Sequence, residues 1–99
     1  MRNLKKMKKV EMIIEGEFLA HLTRLLEKIE IQGYTIFRNL EGRGNAGYHE
    51  GQLLFNDEDA LVMIMTVVDE AKAETISEGL ALFFEKHSGV MFITDTHMM

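Results

Sequence analysis

The 99-residue sequence contains no cysteine, and no apolar run approaches the length of a membrane-spanning helix. Without thiols the chain forms no disulfide and offers neither a thiolate metal site nor a cysteine nucleophile, which fits a reducing cytoplasm. A spanning helix needs at least about 18 consecutive apolar residues. We therefore expect a cytoplasmic protein that does not itself span a membrane.

Positive charge is scarce beyond the ninth residue. Five of the 11 basic residues lie in the first nine positions, whereas six basic residues face 16 acidic ones from Val10 onward. Such an acidic body repels a phosphate backbone, so we expect no nucleic-acid partner. The basic start lacks the apolar region of a secretory signal. We expect residues 1–9 to be a solvated basic tail leading into the first strand, an interpretation that we favour over contact with an acidic surface. Residues 10–99 are expected to form one domain.

The apolar pattern predicts two similar halves, each with a strand, a helix and a strand. The expected strands cover residues 10–14, 34–37, 61–68 and 90–94, and the expected helices cover residues 17–31 and 69–86. Gln32-Gly33 is the expected stop of the first helix, and Asp69-Glu70 places acid in the first turn of the second. This βαββαβ order predicts an α+β, ferredoxin-like fold, in which two helices cover one face of a four-stranded antiparallel sheet.

Three of the expected strands carry apolar residues on both faces. The third strand, residues 61–68, is apolar without alternation, which indicates burial on both sides. Two helices cover only one face, and the other face would be an apolar patch too large for a monomer. We therefore expect the chain to oligomerise through the open face.

Residues 42–51 form a loop that holds four of the eight glycines. Its first six residues, from Gly42 to Gly47, match G-x-G-x-x-G, but the dinucleotide fingerprint requires a helix immediately afterwards. Residues 48–55 have neither helical periodicity nor helix propensity, so that interpretation is excluded. Glycines also let backbone N–H groups approach a phosphate, and Arg43 would add a charge-assisted contact. A flexible connector is an equally good interpretation of the same residues.

No catalytic or metal site is indicated. The histidines are not paired at metal-ligand spacing, and neither Ser77 nor Ser88 has a recognisable triad context. The acidic residues 57–59 are more typical of a solvated turn than of a cation site. We therefore expect neither an enzyme nor a metal protein. The histidines considered are His21, His49, His87 and His97.

Four stretches of the chain resemble the PII signal-transduction superfamily: residues 8–14, 31–36, 41–44 and 83–93. The Gly33-Tyr34-Thr35 sequence after the first helix and the Gly-x-Gly at the loop root are both family features. The likeness covers nearly the whole chain from Val10 on. Because the loop is short and residues 86–89 lack Gly-Asp-Gly-Lys, the chain is most similar to PII-like proteins associated with bicarbonate transport and carboxysomes.

The resemblance implies a homotrimer whose sheets face inward, with an adenine nucleotide (ATP, ADP or AMP) in each cleft between subunits. The nucleotide is an effector rather than a prosthetic group, and bicarbonate or another small anion accompanies it. The loop would be a T-loop-like segment over residues 40–59 that docks onto a membrane transporter, an enzyme or a regulator. The implied nucleotide contacts are Thr35, Gly42, Arg43, Gly44, Val67 and Gly89, and the implied partner contacts are Tyr48, His49 and Glu50.

Two other classes share this fold and stay open as alternatives. A CutA-like metal-binding trimer would bind copper or zinc through His49 or His87. An ACT-like small-molecule sensor would bind an amino acid and form a dimer. Nucleotide binding separates both from the PII-like interpretation.

Overall fold

The structure is a computed structural model that describes residues 3–42 and 60–99. Its sheet has the strand order β2-β3-β1-β4 with antiparallel pairs throughout, and the predicted ferredoxin-like fold is confirmed. Within these two ranges, no helix is long and apolar enough to cross a membrane. The elements are β1 (Lys5–Glu15), a 3-10 turn (Gly16–Phe18), α1 (Leu19–Lys28), β2 (Thr35–Leu40), β3 (Leu61–Val68), α2 (Glu70–Lys86) and β4 (Gly89–Met98).

The core lies between the two helices and one face of the sheet. Val10, Met12 and Ile14 alternate along β1 and are fully buried, as their spacing predicts. Ile64 of β3 pairs with Met12 and is also fully buried. The helices contribute the other half of the core, with buried side chains at Leu22, Leu26, Ile76, Leu80 and Phe83.

Helix α1 ends earlier than the sequence indicated, and it does not end at Gly33. The left-handed residue at its end is Glu30, with φ of 62°. The Ile31 N–H donates to the Leu26 carbonyl at 3.0 Å and Ile31 is buried, which is the hydrogen-bond pattern of a Schellman ending. The helix therefore ends through backbone hydrogen bonds and the burial of Ile31, so Gly33 needs another explanation.

Helix α2 begins where the acidic residues predicted. Asp69 is its N-cap, and its Oδ1 accepts the Lys72 N–H at 2.7 Å. The cap satisfies one of the unpaired donors of the first turn.

Strands β1 and β4 are longer than expected. β1 begins at Lys5, so the lysines assigned to a tail lie in the sheet, where Lys5 pairs with Met98. The Lys8 ammonium lies 2.5 Å from the Asp95 carboxylate. This hydrogen bond and the charge of Lys8 lower the pKa of Asp95, and Asp95 in turn raises the pKa of Lys8. Local composition does not indicate a strand over such charged residues, which are ordered by pairing with β4 and, at Lys8 and Lys9, with β3 as well.

The second face of the sheet is left open within one chain. Leu61, Met63, Met65 and Val67 alternate with buried residues along β3 and are only half-buried. The prediction that β3 is buried on both faces is therefore wrong for a single chain. The neighbouring strands add Phe37, Val90 and Phe92 to this face, and Phe92 is 50% exposed.

Candidate functional site

The described residues among the predicted nucleotide contacts fall into two sets at opposite ends of the sheet. Thr35 begins β2 and pairs with Met65, two residues before Val67. Gly89 begins β4 and pairs with Ile14, which pairs in turn with Val62 near the start of β3. Gly42 lies at this second end, against Leu61. Along β3 the two sets are three to six residues apart, or roughly 10–20 Å, and Thr35 and Gly89 lie on opposite edge strands, so one chain does not bring them together.

The other predicted contacts lie outside the described residues. These are Arg43, Gly44, Tyr48, His49 and Glu50, together with most of the T-loop-like segment 40–59. Their roles stay predictions.

A cleft opens at the end of the sheet that carries Thr35 and Val67. Its volume is about 380 Å³, within the range of small-molecule sites. The α1–β2 connection forms one wall, and the end of β3 with the start of α2 forms the other. The lining residues are Glu30, Ile31, Gln32, Gly33, Thr66, Val67, Val68, Asp69 and Lys72.

Two side chains fix the α1–β2 wall of this cleft. The Thr66 hydroxyl donates to the Gly33 carbonyl at 2.6 Å, and Thr66 is only 3% exposed. The Lys72 ammonium donates to the Ile29 carbonyl at 3.0 Å. Because Ile29 ends α1, this second bond also places positive charge at the negative end of the helix dipole.

The backbone that follows α1 contains N–H groups for which the described residues supply no hydrogen-bond partner. Among the described residues, no hydrogen bond engages the N–H groups of Gln32, Gly33 or Tyr34. Small-molecule sites use such backbone groups to fix the orientation of a ligand. The described lining of the cleft also carries carboxylates at Glu30 and Asp69, and Lys72 is the single cationic side chain in that lining.

Three described glycines, Gly33, Gly42 and Gly89, lie among or beside the predicted contacts, and the space around them differs. A Cβ at Gly89 would lie 3.0 Å from the Ile13 carbonyl and 3.2 Å from Phe84, so close packing together with a φ of 158° favours glycine there. Among the described residues, a Cβ at Gly33 would meet nothing within 4 Å, and one at Gly42 would meet only Leu61 at 3.5 Å. Packing within this part of the chain therefore does not require Gly33 or Gly42.

The two described histidines near the helix ends form an aromatic cluster. The centroid of the His87 ring lies 4.3 Å from that of Phe18 and 4.7 Å from that of Phe83. The His21 ring centroid lies 6.1 Å from that of His87. Across residues 3–42 and 60–99, no three histidine, aspartate or glutamate side chains are placed to hold a metal ion. In this part of the chain His87 is thus explained by ring packing.

Comparison with known proteins gives the family of this chain. The sequence profile of the family described as Nitrogen regulatory protein P-II matches residues 7–99. The chain belongs to the P-II family. No significant match was found among curated protein sequences.

Solved structures of P-II relatives give the closer likeness. CPII, a nitrogen regulatory PII-like protein from Thiomonas intermedia K12 bound to ADP, AMP and bicarbonate, is 43% identical, with a TM-score of 0.87 over 99% of this chain and 92% of that one. CPII bound to ADP and bicarbonate gives 41% identity and a TM-score of 0.83, over 99% and 93% of the two chains. A PII-like signalling protein from Thermus thermophilus, at 20% identity and a TM-score of 0.74 over 97% and 91%, shares the fold.

Sequence reasoning missed the residues that shape the cleft, chiefly Thr66 and Lys72. A signal for Thr66 was present, since it is the one hydroxyl in the otherwise apolar run of β3. A buried polar side chain needs a partner, so a lone threonine there indicates a specific hydrogen bond. Nothing local indicates Lys72, because its partner lies 43 residues away.

Proposed function

We propose that this P-II family protein is a cytoplasmic, non-catalytic sensor that binds an adenine nucleotide, together with bicarbonate or another small anion, between the subunits of a homotrimer. Its output is control of a membrane transporter, an enzyme or a regulatory protein. The observation that carries the proposal is the 43% identity, across 99% of this chain, to a PII-like protein bound to ADP, AMP and bicarbonate.

The open face of the sheet supports assembly. Phe37, Val90 and Phe92 are each at least 39% exposed on this face, and half-buried methionines of β3 lie between them. Contiguous apolar surface of this kind is typical of an interface between subunits. Burying it against two further copies gives a closed trimer with inward-facing sheets.

The separation of the predicted contacts supports a site between subunits. Thr35 and Val67 lie at one end of the sheet, whereas Gly42 and Gly89 lie at the other. In a ring of identical subunits, one end of each subunit meets the opposite end of its neighbour when the interface is heterologous. Each interface would then combine both sets around one nucleotide.

The loop root supports contact with an anion. Among the described residues, only Leu61 would contact a Cβ at Gly42, so on this side a ligand could approach the Gly42 backbone closely. Arg43 follows directly, and we assign it the charge-assisted contact to phosphate or bicarbonate. Gly44 would admit the same anion. The loop beyond, with Tyr48, His49 and Glu50, is then the surface that the regulated partner contacts.

Calorimetric titration with ATP, ADP and AMP, each with and without bicarbonate, tests this function. We expect micromolar binding of at least one nucleotide. Arg43→Ala should weaken it about tenfold or more, since charge-assisted hydrogen bonds contribute roughly 1.5–3 kcal/mol. Arg24→Ala, which removes an exposed arginine from α1, is the matched control and should bind normally. Absence of any response to the whole panel would contradict the proposal.

A further inference from the structure

Thr66 is a buried hydroxyl within an apolar strand. It lies on the helix-covered face, where it pairs with Val10, and is 3% exposed. Its one described hydrogen bond reaches across 33 residues to the Gly33 carbonyl, at 2.6 Å. A valine would fill the same place in the core without a polar atom, so core packing does not explain the hydroxyl.

The bond holds a segment that little else holds. Backbone hydrogen bonds fix the chain as far as Ile31, and pairing with Met65 fixes it again at Thr35. Between these points, no described hydrogen bond other than that of Thr66 holds Gln32, Gly33 or Tyr34. The position of the Gly33 peptide, and hence of the backbone leading into Thr35, therefore depends on Thr66.

This segment carries the features expected of a ligand contact. Gly33 has open space on the side where a Cβ would lie, and its N–H and that of Tyr34 have no partner among the described residues. Val67, the residue after Thr66, lines the same cleft. Thr66 thus joins the two walls of the cleft beside the predicted contacts Thr35 and Val67.

We propose that Thr66 is a positioning residue for nucleotide binding: its hydroxyl holds the Gly33–Thr35 backbone in the conformation that receives the ligand. Thr66 does not touch the nucleotide. It acts through the Gly33 carbonyl and fixes the N–H groups and the Thr35 side chain before the ligand arrives. Such preorganisation raises affinity because the ordering cost is met during folding rather than during binding. This inference rests on the proposed function.

The test compares ADP affinity in Thr66→Val, Thr66→Ser and wild-type protein by calorimetry. Thr66→Val should weaken binding about five- to tenfold, the effect of losing one hydrogen bond, while Thr66→Ser keeps the hydroxyl and should bind nearly as wild type. Thr75→Val is the matched control. It removes an exposed hydroxyl whose bond, to the Ala71 carbonyl at 3.2 Å, lies within α2, and its affinity should not change.

Amide hydrogen exchange in the ligand-free protein supplies a second readout. Thr66→Val should speed exchange at the Ile31 amide, which donates to Leu26 beside the connection, while leaving the core amides of β1 protected, since only the connection loses its attachment. A purely structural role would instead lower protection throughout the sheet. If Thr66→Val does not fold, Thr66→Ala replaces it in both measurements.

The outcomes separate this inference from the function on which it rests. If wild-type protein binds no nucleotide, the proposed function fails, and the role of Thr66 in binding fails with it. If wild-type protein binds ADP and folded Thr66→Val binds it equally well, the role of Thr66 alone is overturned. Weaker binding by Thr66→Val, restored in Thr66→Ser, supports it.

Discussion

The two faces of the sheet are built from the same strands, but the helices bury only one of them. On the helix side, Met12 and Ile64 are fully buried by α1 and α2. On the open side, their neighbours along the same strands are half-buried, and Phe92 is 50% exposed. One chain therefore buries the apolar residues of only one face of its sheet. The predicted contacts are likewise separated, with one set at each end of the sheet. Both observations support the proposal that the chain assembles with copies of itself.

The largest expected effect lies on the helix side. Ile64→Ala should lower the free energy of unfolding by about 2–5 kcal/mol, because it leaves a cavity in a closed core. Met63→Ala, one position along β3 and on the open face, is the matched control. Denaturant titrations at several protein concentrations distinguish the two, since assembly makes apparent stability concentration-dependent.

We expect Ile64→Ala to be destabilised at every concentration and Met63→Ala chiefly at concentrations high enough for assembly, because only there does the interface add to apparent stability. If both variants lose the same free energy of unfolding at every concentration, assembly does not bury the open face.

The next effect lies on the open side. Phe92→Asp places a charge in the proposed interface and should dissociate the assembly, because an unpaired charge is costly to bury. Leu82→Asp is the matched control: Leu82 is 59% exposed, but on α2. Light scattering should give three times the 11.4 kDa chain mass for wild type and Leu82→Asp, and the chain mass for Phe92→Asp. A wild-type monomer, or a trimer that persists in Phe92→Asp, would contradict the proposal that the open face is the interface between subunits.

The smallest effect concerns the Lys8–Asp95 ion pair beyond the end of the four-stranded region. The pKa of Asp95 is lowered by Lys8, so the pair adds stability above the unfolded carboxyl pKa of about 3.9 and loses it as pH falls through the lower folded value. Asp95→Asn should lack this dependence.

The difference should be small and should shrink in salt, because Asp95 is 84% exposed. Thermal unfolding between about pH 2 and 7, at low and high salt, measures it. Glu78→Gln, which alters an exposed carboxylate of α2, is the control. A large, salt-independent loss in Asp95→Asn would show that this end of the sheet matters more to stability than its exposure suggests.

Periodicity predicted the parts of the fold that depend on local pattern. Alternation at Val10, Met12 and Ile14 and the acidic start of α2 at Asp69 were correct, because both follow from backbone geometry within a few residues. The five residues added at the start of β1 were not predictable in this way. Lysines there become a strand through pairing with β4, almost 90 positions away at Lys8 and Asp95, and at Lys8 and Lys9 also with β3.

The site was predicted in the same uneven manner. Thr35 and Val67 were predicted through likeness to the P-II family and stay predictions, and they border or line one cleft. Thr66 and Lys72 were missed, because their partners Gly33 and Ile29 are distant in sequence. Glu30 replaced the expected glycine at the end of α1 because hydrogen bonding and the burial of Ile31 offset its left-handed conformation.

The central claim, a nucleotide site shared between subunits, is tested most directly by subunit mixing. Thr35→Glu blocks one end of the sheet and Gly42→Asp blocks the other, and each variant alone should bind no ADP. After the two are unfolded together and reassembled, about one quarter of the wild-type sites should return, because one interface in each mixed trimer combines two intact ends. If each site lies within a single chain, the mixture will bind no ADP, and that result would contradict the account.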